Sequence, residues 1–160
     1  MQALTEADVA HAFINATSEE AKHVTVPIAF YIADWDHHDF YAWRDPRLAG
    51  RGYLIVQLDG ETTGIVLRRA DGHSRARAAL CNVCHTMQPG DQVAMFTARK
   101  AGPAGERGDS IGTMMCADLS CHDNVRLAAP LAPGEVRASV DRRIDETRAR
   151  AERLVAQVIA

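Results

Sequence analysis

The four cysteines of the chain constrain its fold more than any other feature. They fall into two pairs, Cys81/Cys84 with two residues between them and Cys116/Cys121 with four, and 31 residues separate the pairs. Thiolates at these spacings suit a tetrahedral Zn²⁺, and the short spacer of the first pair lets one tight turn aim both sulfurs at one ion. A following β-hairpin can return the second pair to that turn. The spacing predicts a structural zinc site, because four protein thiolates leave no coordination position for water or substrate.

Other uses of these cysteines are open on sequence grounds, and the simplest is that all four are buried as small hydrophobic residues. A redox Cys-x-x-Cys pair would normally stand at the start of a helix after a βαβ strand, which is not the context of Cys81. His85 and His122 adjoin the predicted ligands and could replace a cysteine in a Cys₃His site. Adjacent side chains diverge in direction, so only one of Cys121 and His122 can face an ion from a regular helix. Cysteine is therefore the favoured ligand at all four positions.

A β-hairpin is the clearest local prediction. Two antiparallel strands are indicated by the β-branched run Tyr53–Leu58 and the run Thr62–Arg69, with the turn signal Asp59-Gly60 between them. Residues 92–97 and 111–115 have the same strand composition, and they predict a second hairpin between the two cysteine pairs.

Helices are predicted at both ends of the chain. Thr5, followed by Asp8, is typical of a helix start, and the apolar spacing after it predicts about 12 to 18 helical residues. Residues 117–128 have helical composition, and apolar positions recur every three or four residues from 135 to 160. The glycine-rich residues 99–110 between the last two strands predict a long loop.

These elements predict an α+β protein in which β-hairpins and a treble-clef-like zinc finger are flanked by N- and C-terminal helices. We expect residues 1–50 and 130–160 to form the helical part, with the two terminal helices packed against each other. Residues 51–129 would form the β-hairpin and zinc-binding part, and both parts would make one compact unit.

Charge is unevenly distributed, although the whole chain carries only −3. Residues 1–67 contain 4 Lys/Arg and 10 Asp/Glu, whereas residues 68–160 contain 14 and 11. This balance excludes a uniformly basic nucleic-acid coat and places any attraction to RNA or to an acidic protein in the second part. The longest apolar run, Val26–Ala33, is too short to span a bilayer, and no targeting sequence is visible, so we expect a cytoplasmic protein without membrane contact.

The zinc-binding half resembles the C-terminal domain of the FusB-type elongation-factor-G-binding proteins, the FBP domain of the fusidic-acid-resistance family. The resemblance covers about residues 40 to 128. It rests on Trp43-Arg44-Asp45-Pro46, Cys81-Asn82-Val83-Cys84-His85-Thr86, Phe96-Thr97, the run from Gly112-Thr113 to Cys121, and Val125-Arg126.

The resemblance implies a treble-clef zinc finger that binds elongation factor G and modulates its release from the ribosome. Partner contacts would come from basic and polar residues near the turn that carries Cys81 and Cys84 and near the long loop predicted at residues 99–110. Residues 68–107 contain 7 Lys/Arg and 3 Asp/Glu, so this region is locally basic. These candidate contact residues are Arg75, Arg77, Asn82, His85, Phe96, Arg99, Lys100 and Arg107.

Two other functions are weighed against this one. A zinc finger that binds RNA or the ribosome without elongation factor G would need exposed aromatic side chains for base stacking, and only 6% of the residues are aromatic. A zinc enzyme would need a motif such as H-x-E with P-C-x-x-C, and the sequence contains neither this motif nor a phosphate-binding loop. We therefore expect a binding protein with no catalytic residues and no small-molecule substrate.

Overall fold

The computed structural model describes residues 1–72, 77–127, 134 and 136–160. It confirms the predicted α+β class. The strands are β1 (Tyr41–Arg44), β2 (Arg51–Leu58), β3 (Glu61–Arg69), β4 (Ala78–Leu80), β5 (Met87–Pro89), β6 (Val93–Arg99) and β7 (Ser110–Cys116). The helices are α1 (Glu6–Ala12), α2 (Ser18–Lys22), α3 (Gly102–Glu106), α4 (Cys121–Asn124) and α5 (Val140–Ile159). Short 3₁₀ turns occupy Ile28–Ile32, Trp35–His37 and Gly90–Gln92.

Five strands form one antiparallel sheet in the order β1-β2-β3-β6-β7, and β4 and β5 form a separate two-stranded ribbon. Both predicted hairpins are confirmed. Asp59 and Gly60 join β2 to β3 with positive φ angles of 51° and 84°, as a two-residue hairpin turn requires. β1 belongs to this same sheet, so residues before 51 supply a strand as well as helices.

The sheet is buried on both faces, because alternate residues of its central strands enter two separate apolar clusters. Tyr53 and Ile55 of β2 pack with residues of the N-terminal segment, including Val9. Leu54 and Val56 pack with the buried stripe of α5. The terminal helices therefore lie on opposite faces, and the expected packing of one on the other is wrong. Each helix instead covers its apolar side with the sheet, which offers the larger apolar surface.

The residues after α1 cover an open backbone edge within the sheet. β3 pairs with β6 at only two positions near its C-terminal end. Upstream of that point, the Ile14 amide donates to the Gly64 carbonyl at 3.1 Å. The Asn15 side chain accepts from the Val66 amide at 2.7 Å and donates to the carbonyls of Val66 and Arg99 at 3.1 and 2.9 Å. Asn15 thus joins β3 to β6 where the two strands diverge.

The N-terminal helix is shorter than the sequence predicts. α1 begins with a reciprocal capping box between Thr5 and Asp8, which agrees with the predicted start. It ends at Ala12 because the next three residues leave the helix to bond β3. A second capping box, between Thr17 and Glu20, then starts α2.

Glu20 also fixes α2 to the sheet through arginines. Its carboxylate contacts Arg68 and lies 3.6 Å from Arg51 and 3.7 Å from Arg99. Burial opposes the charged form, but the Thr17 amide and the Arg68 guanidinium outweigh it and hold the pKa of Glu20 below its ordinary value. The ionised carboxylate therefore stabilises this junction.

The C-terminal half differs from its prediction in two helices. α4 occupies only the middle of the predicted 117–128 helix, because Leu119 adopts a left-handed φ of 65° just before it. α5 begins at Val140, where the Ser139 hydroxyl accepts from the Arg142 amide. Of the apolar positions predicted at a spacing of three or four residues, those buried are Thr147, Ala151, Leu154 and Val158, whereas Val136 and Val140 are exposed. The predicted loop at 99–110 contains α3.

Candidate metal centre and adjoining groove

Three elements bring the four cysteines together. Cys81 and Cys84 lie in the tight turn that joins β4 to β5, where the His85 amide donates to the Cys81 carbonyl at 2.9 Å. Cys116 is the last residue of β7, and Cys121 is the first residue of α4. Turn, hairpin and helix therefore meet at one point, in the order that the spacing predicts.

The geometry of the cluster fits a tetrahedral zinc ion. All four Sγ atoms lie within 4.8 Å of one another, and the residues are buried. The Cys81–Cys121 and Cys84–Cys116 sulfur pairs are each separated by 3.6 Å. Zinc–sulfur bonds of about 2.3 Å place tetrahedral sulfurs about 3.8 Å apart, whereas a disulfide requires about 2.05 Å. The donor set and its spacing thus support zinc and exclude disulfides in this conformation.

Neighbouring polar groups prepare the site for negatively charged sulfur. The Thr86 hydroxyl lies 2.8 Å from Cys84 Sγ, and the Cys84 amide donates to Cys81 Sγ at 3.5 Å. The side-chain amides of Gln88 and Asn124 donate to Cys116 Sγ at 3.1 and 3.4 Å. Such contacts orient thiolate ligands and offset part of their charge.

The thiols influence one another's ionisation. Hydrogen bonds from Cys116, Cys121 and Cys84 lower the pKa of the Cys81 thiol. Its hydrogen bond to Cys116, followed by those to Cys81 and Cys84, raises the pKa of the Cys121 thiol well above its ordinary value. Without a cation, ionisation of one thiol therefore disfavours ionisation of its neighbours. A divalent cation would allow all four to ionise, because it stabilises the thiolate form of every ligand.

The two neighbouring histidines have other surroundings. The ring of His122 stacks on His38 with 4.3 Å between centroids, and its Nδ1 lies 3.7 Å from a carboxylate oxygen of Asp39. Burial, followed by the nearby Arg126, lowers the pKa of His122 to about 4. His85 is exposed. The four-cysteine set is complete without either histidine.

A sequence model of the FBP C-terminal treble-clef zinc-finger family matches residues 8–158. The chain belongs to this family. The match extends the resemblance from the zinc-binding half to nearly the whole chain, and it agrees with the four-cysteine cluster in indicating zinc as the cofactor. No curated protein and no solved structure matches the chain. Within the ranges that the structure describes, no helix is long and apolar enough to cross a membrane.

A groove of about 450 Å³ adjoins the FBP zinc finger. One wall is the turn that carries the first cysteine pair, the second is β7, and the third is α5. Asn82 and His85 line it from the turn, Thr113 from β7, and Arg150 and Arg153 from α5. The groove therefore combines side chains fixed by the metal site with side chains from the C-terminal helix.

Arg150 and Arg153 line the groove although they are not among the candidate contact residues of the sequence analysis. The Arg150 Nε atom donates to the Val83 carbonyl at 2.6 Å, which ties α5 directly to the zinc turn. In the sequence both arginines are part of a mixed-charge helix, which favours a solvated face over a basic groove. Each arginine directly precedes a buried residue of α5, Ala151 or Leu154, and this position at the border of the buried helix face is the sequence signal that could have placed both beside the finger.

The candidate contact residues from the first half of the zinc finger lie in different places. Asn82 and His85 are exposed in the groove. Arg77 is exposed just before β4. Arg75 lies outside the residues that the structure describes.

The remaining candidate contact residues do not form one patch with these. Phe96 is fully buried in the apolar cluster under α5, so its assignment to a partner surface is corrected. It faces inward because residues alternate along β6. Arg99 is half-buried and donates to the Asn15 carbonyl at 3.0 Å. Lys100 is also half-buried, whereas Arg107 is exposed after α3 and lies 3.8 Å from Asp109.

Proposed function

We propose that this zinc-finger protein binds elongation factor G and promotes release of the factor from the ribosome, as the FusB-type resemblance implies. Membership of the FBP zinc-finger family carries the proposal. The groove beside the metal centre supports it, because it presents exposed polar and basic groups on a surface that the metal holds rigid.

The groove is suited to an acidic protein surface. Arg153 is exposed, and Arg150 is held at only 17% side-chain exposure by its bond to the zinc turn. Among the residues that the structure describes, Glu146 is the one carboxylate lining the groove, and it lies 3.8 Å from Arg150. A cation fixed in advance loses little freedom on binding, so its contacts contribute more to affinity.

The protein would act by binding, without covalent chemistry. A ligand shifts an equilibrium only through its different affinities for the two states. The zinc finger would therefore have to bind the dissociating form of elongation factor G more tightly than the ribosome-bound form. In this proposal zinc holds the docking surface in shape, and the four cysteines have no catalytic role.

The decisive experiment measures binding of purified elongation factor G to the zinc-loaded full chain. Arg153→Glu reverses a groove charge, and we expect it to weaken binding about tenfold or more. Arg148→Glu is the matched control, because it makes the same change on the same helix outside the groove lining. Equal loss in both variants, or no complex at low salt, would overturn the proposal.

The same preparations test release. The wild-type chain should accelerate dissociation of elongation factor G from ribosomes stalled with fusidic acid, and the Arg153→Glu variant should do so less. Binding without faster dissociation would restrict the function to factor binding.

Ribosomal RNA is the alternative partner. Phe96 is the only Phe, Tyr or Trp after residue 53, and its burial leaves no ring of these three types in the second two thirds of the chain for stacking on bases. Tight, steeply salt-dependent binding to bare RNA in the absence of elongation factor G would favour this alternative.

A further inference from the structure

The short 3₁₀ turn Ile28–Ile32 exposes large apolar side chains on the N-terminal face of the molecule. Ile28, Tyr31 and Ile32 have relative exposures of 84%, 63% and 81%. Ile28 and Tyr31 are three positions apart and therefore lie side by side on such a turn, and Ile32 is exposed next to Tyr31 on the adjoining face. A contiguous apolar patch of this kind on a soluble domain usually marks an interaction site.

The turn is held firmly in this orientation. Phe30, between the exposed residues, is buried and packs edge-on against Trp35 and Tyr41 with centroid distances of 5.3 and 5.7 Å. The Tyr31 hydroxyl donates to the Glu6 carboxylate of α1 at 2.7 Å. The patch is therefore presented by an anchored element.

The patch continues into a groove of about 330 Å³ between α1 and the segment after α2. The apolar lining of this groove comes from Val9, Ala10, Val24 and Val26, and Tyr31 forms one side of it. An occupant of the patch could thus insert an apolar side chain beside the tyrosine. The apolar surface and the groove form one continuous surface, here called the N-terminal patch.

The surroundings of the N-terminal patch are acidic. Residues 1–40 contain seven Asp/Glu and one Lys, and two of these carboxylates, Glu20 and Asp39, are already paired with arginines from other segments. Glu6 touches Tyr31, and the exposed Asp34 and Asp36 follow the turn directly. Lys22 lines the groove but is 3.5 Å from Glu19, which offsets its charge.

We propose that the N-terminal patch is a docking site for a basic amphipathic segment of a second protein, with apolar side chains on Ile28, Tyr31 and Ile32 and cations facing the surrounding carboxylates. The acidic charge around the N-terminal patch distinguishes this occupant from other possible ones. An anionic membrane surface or RNA would be repelled by the carboxylates. A second copy of the chain, related by a two-fold axis, would bring the same acidic groups together.

This surface lies on the face of the sheet opposite α5, whereas the groove beside the zinc turn is built partly from α5. Two partners can therefore bind at the same time without sharing a surface. The chain then acts as a bridge between an acidic partner at the zinc finger and a basic partner at the N-terminal patch. The inference does not depend on the identity of the zinc-finger partner.

The test uses the full zinc-loaded chain and a fluorescent peptide of about 18 residues, made of Lys and Leu with the leucines at helical spacing. Controls are the same peptide with Glu in place of Lys and a scrambled Lys/Leu peptide without an apolar face. We expect the amphipathic Lys/Leu peptide to bind at least about tenfold more tightly than either control.

Three variants locate the binding. Ile28→Ser with Ile32→Ser should weaken it about tenfold or more, and both residues are exposed enough for the fold to be retained. Asp34→Asn with Asp36→Asn should reduce its salt dependence. Val140→Ser with Ile159→Ser removes two exposed aliphatic side chains from α5 and should leave it unchanged.

Wild-type affinity in the Ile28/Ile32 variant, or equal binding of the scrambled peptide, would overturn the inference. Binding to anionic phosphatidylglycerol vesicles without peptide binding would also overturn it. So would a dimer of the wild-type chain that the Ile28/Ile32 variant abolishes. Elongation factor G binding by the Ile28/Ile32 variant is expected to be unchanged, which separates this test from the test of the zinc-finger function.

Discussion

Replacement of Asn15 by leucine tests the contact that joins the N-terminal layer to the sheet. Leucine has the same number and branching of side-chain heavy atoms as asparagine, but its methyl groups are larger and cannot form hydrogen bonds. The substitution removes three hydrogen bonds and leaves the amide and carbonyl of Val66 and the carbonyl of Arg99 without this partner. Each such loss in a buried site costs about 1 to 1.5 kcal/mol, so the free energy of unfolding should fall by about 3 to 4.5 kcal/mol.

Urea denaturation followed by circular dichroism measures this loss. With a slope of about 2 kcal/mol per molar urea, the midpoint should decrease by about 1.5 to 2.3 M at unchanged slope. Asn82→Leu is the matched control, since its exposed side chain makes one long hydrogen bond of 3.4 Å to Thr113. We expect the control to lose less than about 0.5 kcal/mol. A loss below about 1 kcal/mol in Asn15→Leu would refute the role assigned to this contact.

Three further predictions concern the metal, pH and packing. Removal of zinc by a chelator should lower the melting temperature and the hydrogen-exchange protection of residues 81–121, because metal binding contributes to folding; an unchanged melting temperature after proven metal loss would contradict this. The Glu20 carboxylate stabilises the fold fully above pH 4.5, its ordinary pKa, and this contribution is lost as the pH falls through its lower folded value. Unfolding of Glu20→Gln should therefore depend less on pH in this acidic window, and parallel profiles for the two proteins would be evidence against it. Gly105→Ala would place a Cβ atom 1.8 Å from the Lys100 carbonyl oxygen, so thermal denaturation should show a loss of about 3 kcal/mol or more; a variant as stable as wild type would be inconsistent with this close approach.

The metal centre could be predicted from the sequence because its determinants are local. The two-residue spacer between Cys81 and Cys84 restricts both sulfurs to one turn, and a hairpin is the simplest way to return Cys116 to it. The same holds for the β2–β3 hairpin, where Asp59-Gly60 specifies the turn and the flanking residues alternate.

The parts that sequence reasoning missed depend on distant contacts. The predicted N-terminal helix is interrupted because Asn15 meets Val66, 51 residues away, and no local pattern encodes this pairing. The sequence places Phe96 on a partner surface, whereas its position in β6 turns it inward. Arg150 lies in a helix rich in both charges, and its contact with Val83, 67 residues away, identifies its place beside the finger.

The segment that covers the open side of β3 also determines how the protein can be dissected. A fragment that starts at residue 51 would keep all four cysteines but lose β1 and the side chain that occupies the Val66 backbone. Its sheet would then have unpaired strand edges on both sides of the β2–β3 hairpin, which is a template for association between molecules. A minimal finger cut at this point is a poor substitute for the full chain in binding studies, because self-association would compete with its partners.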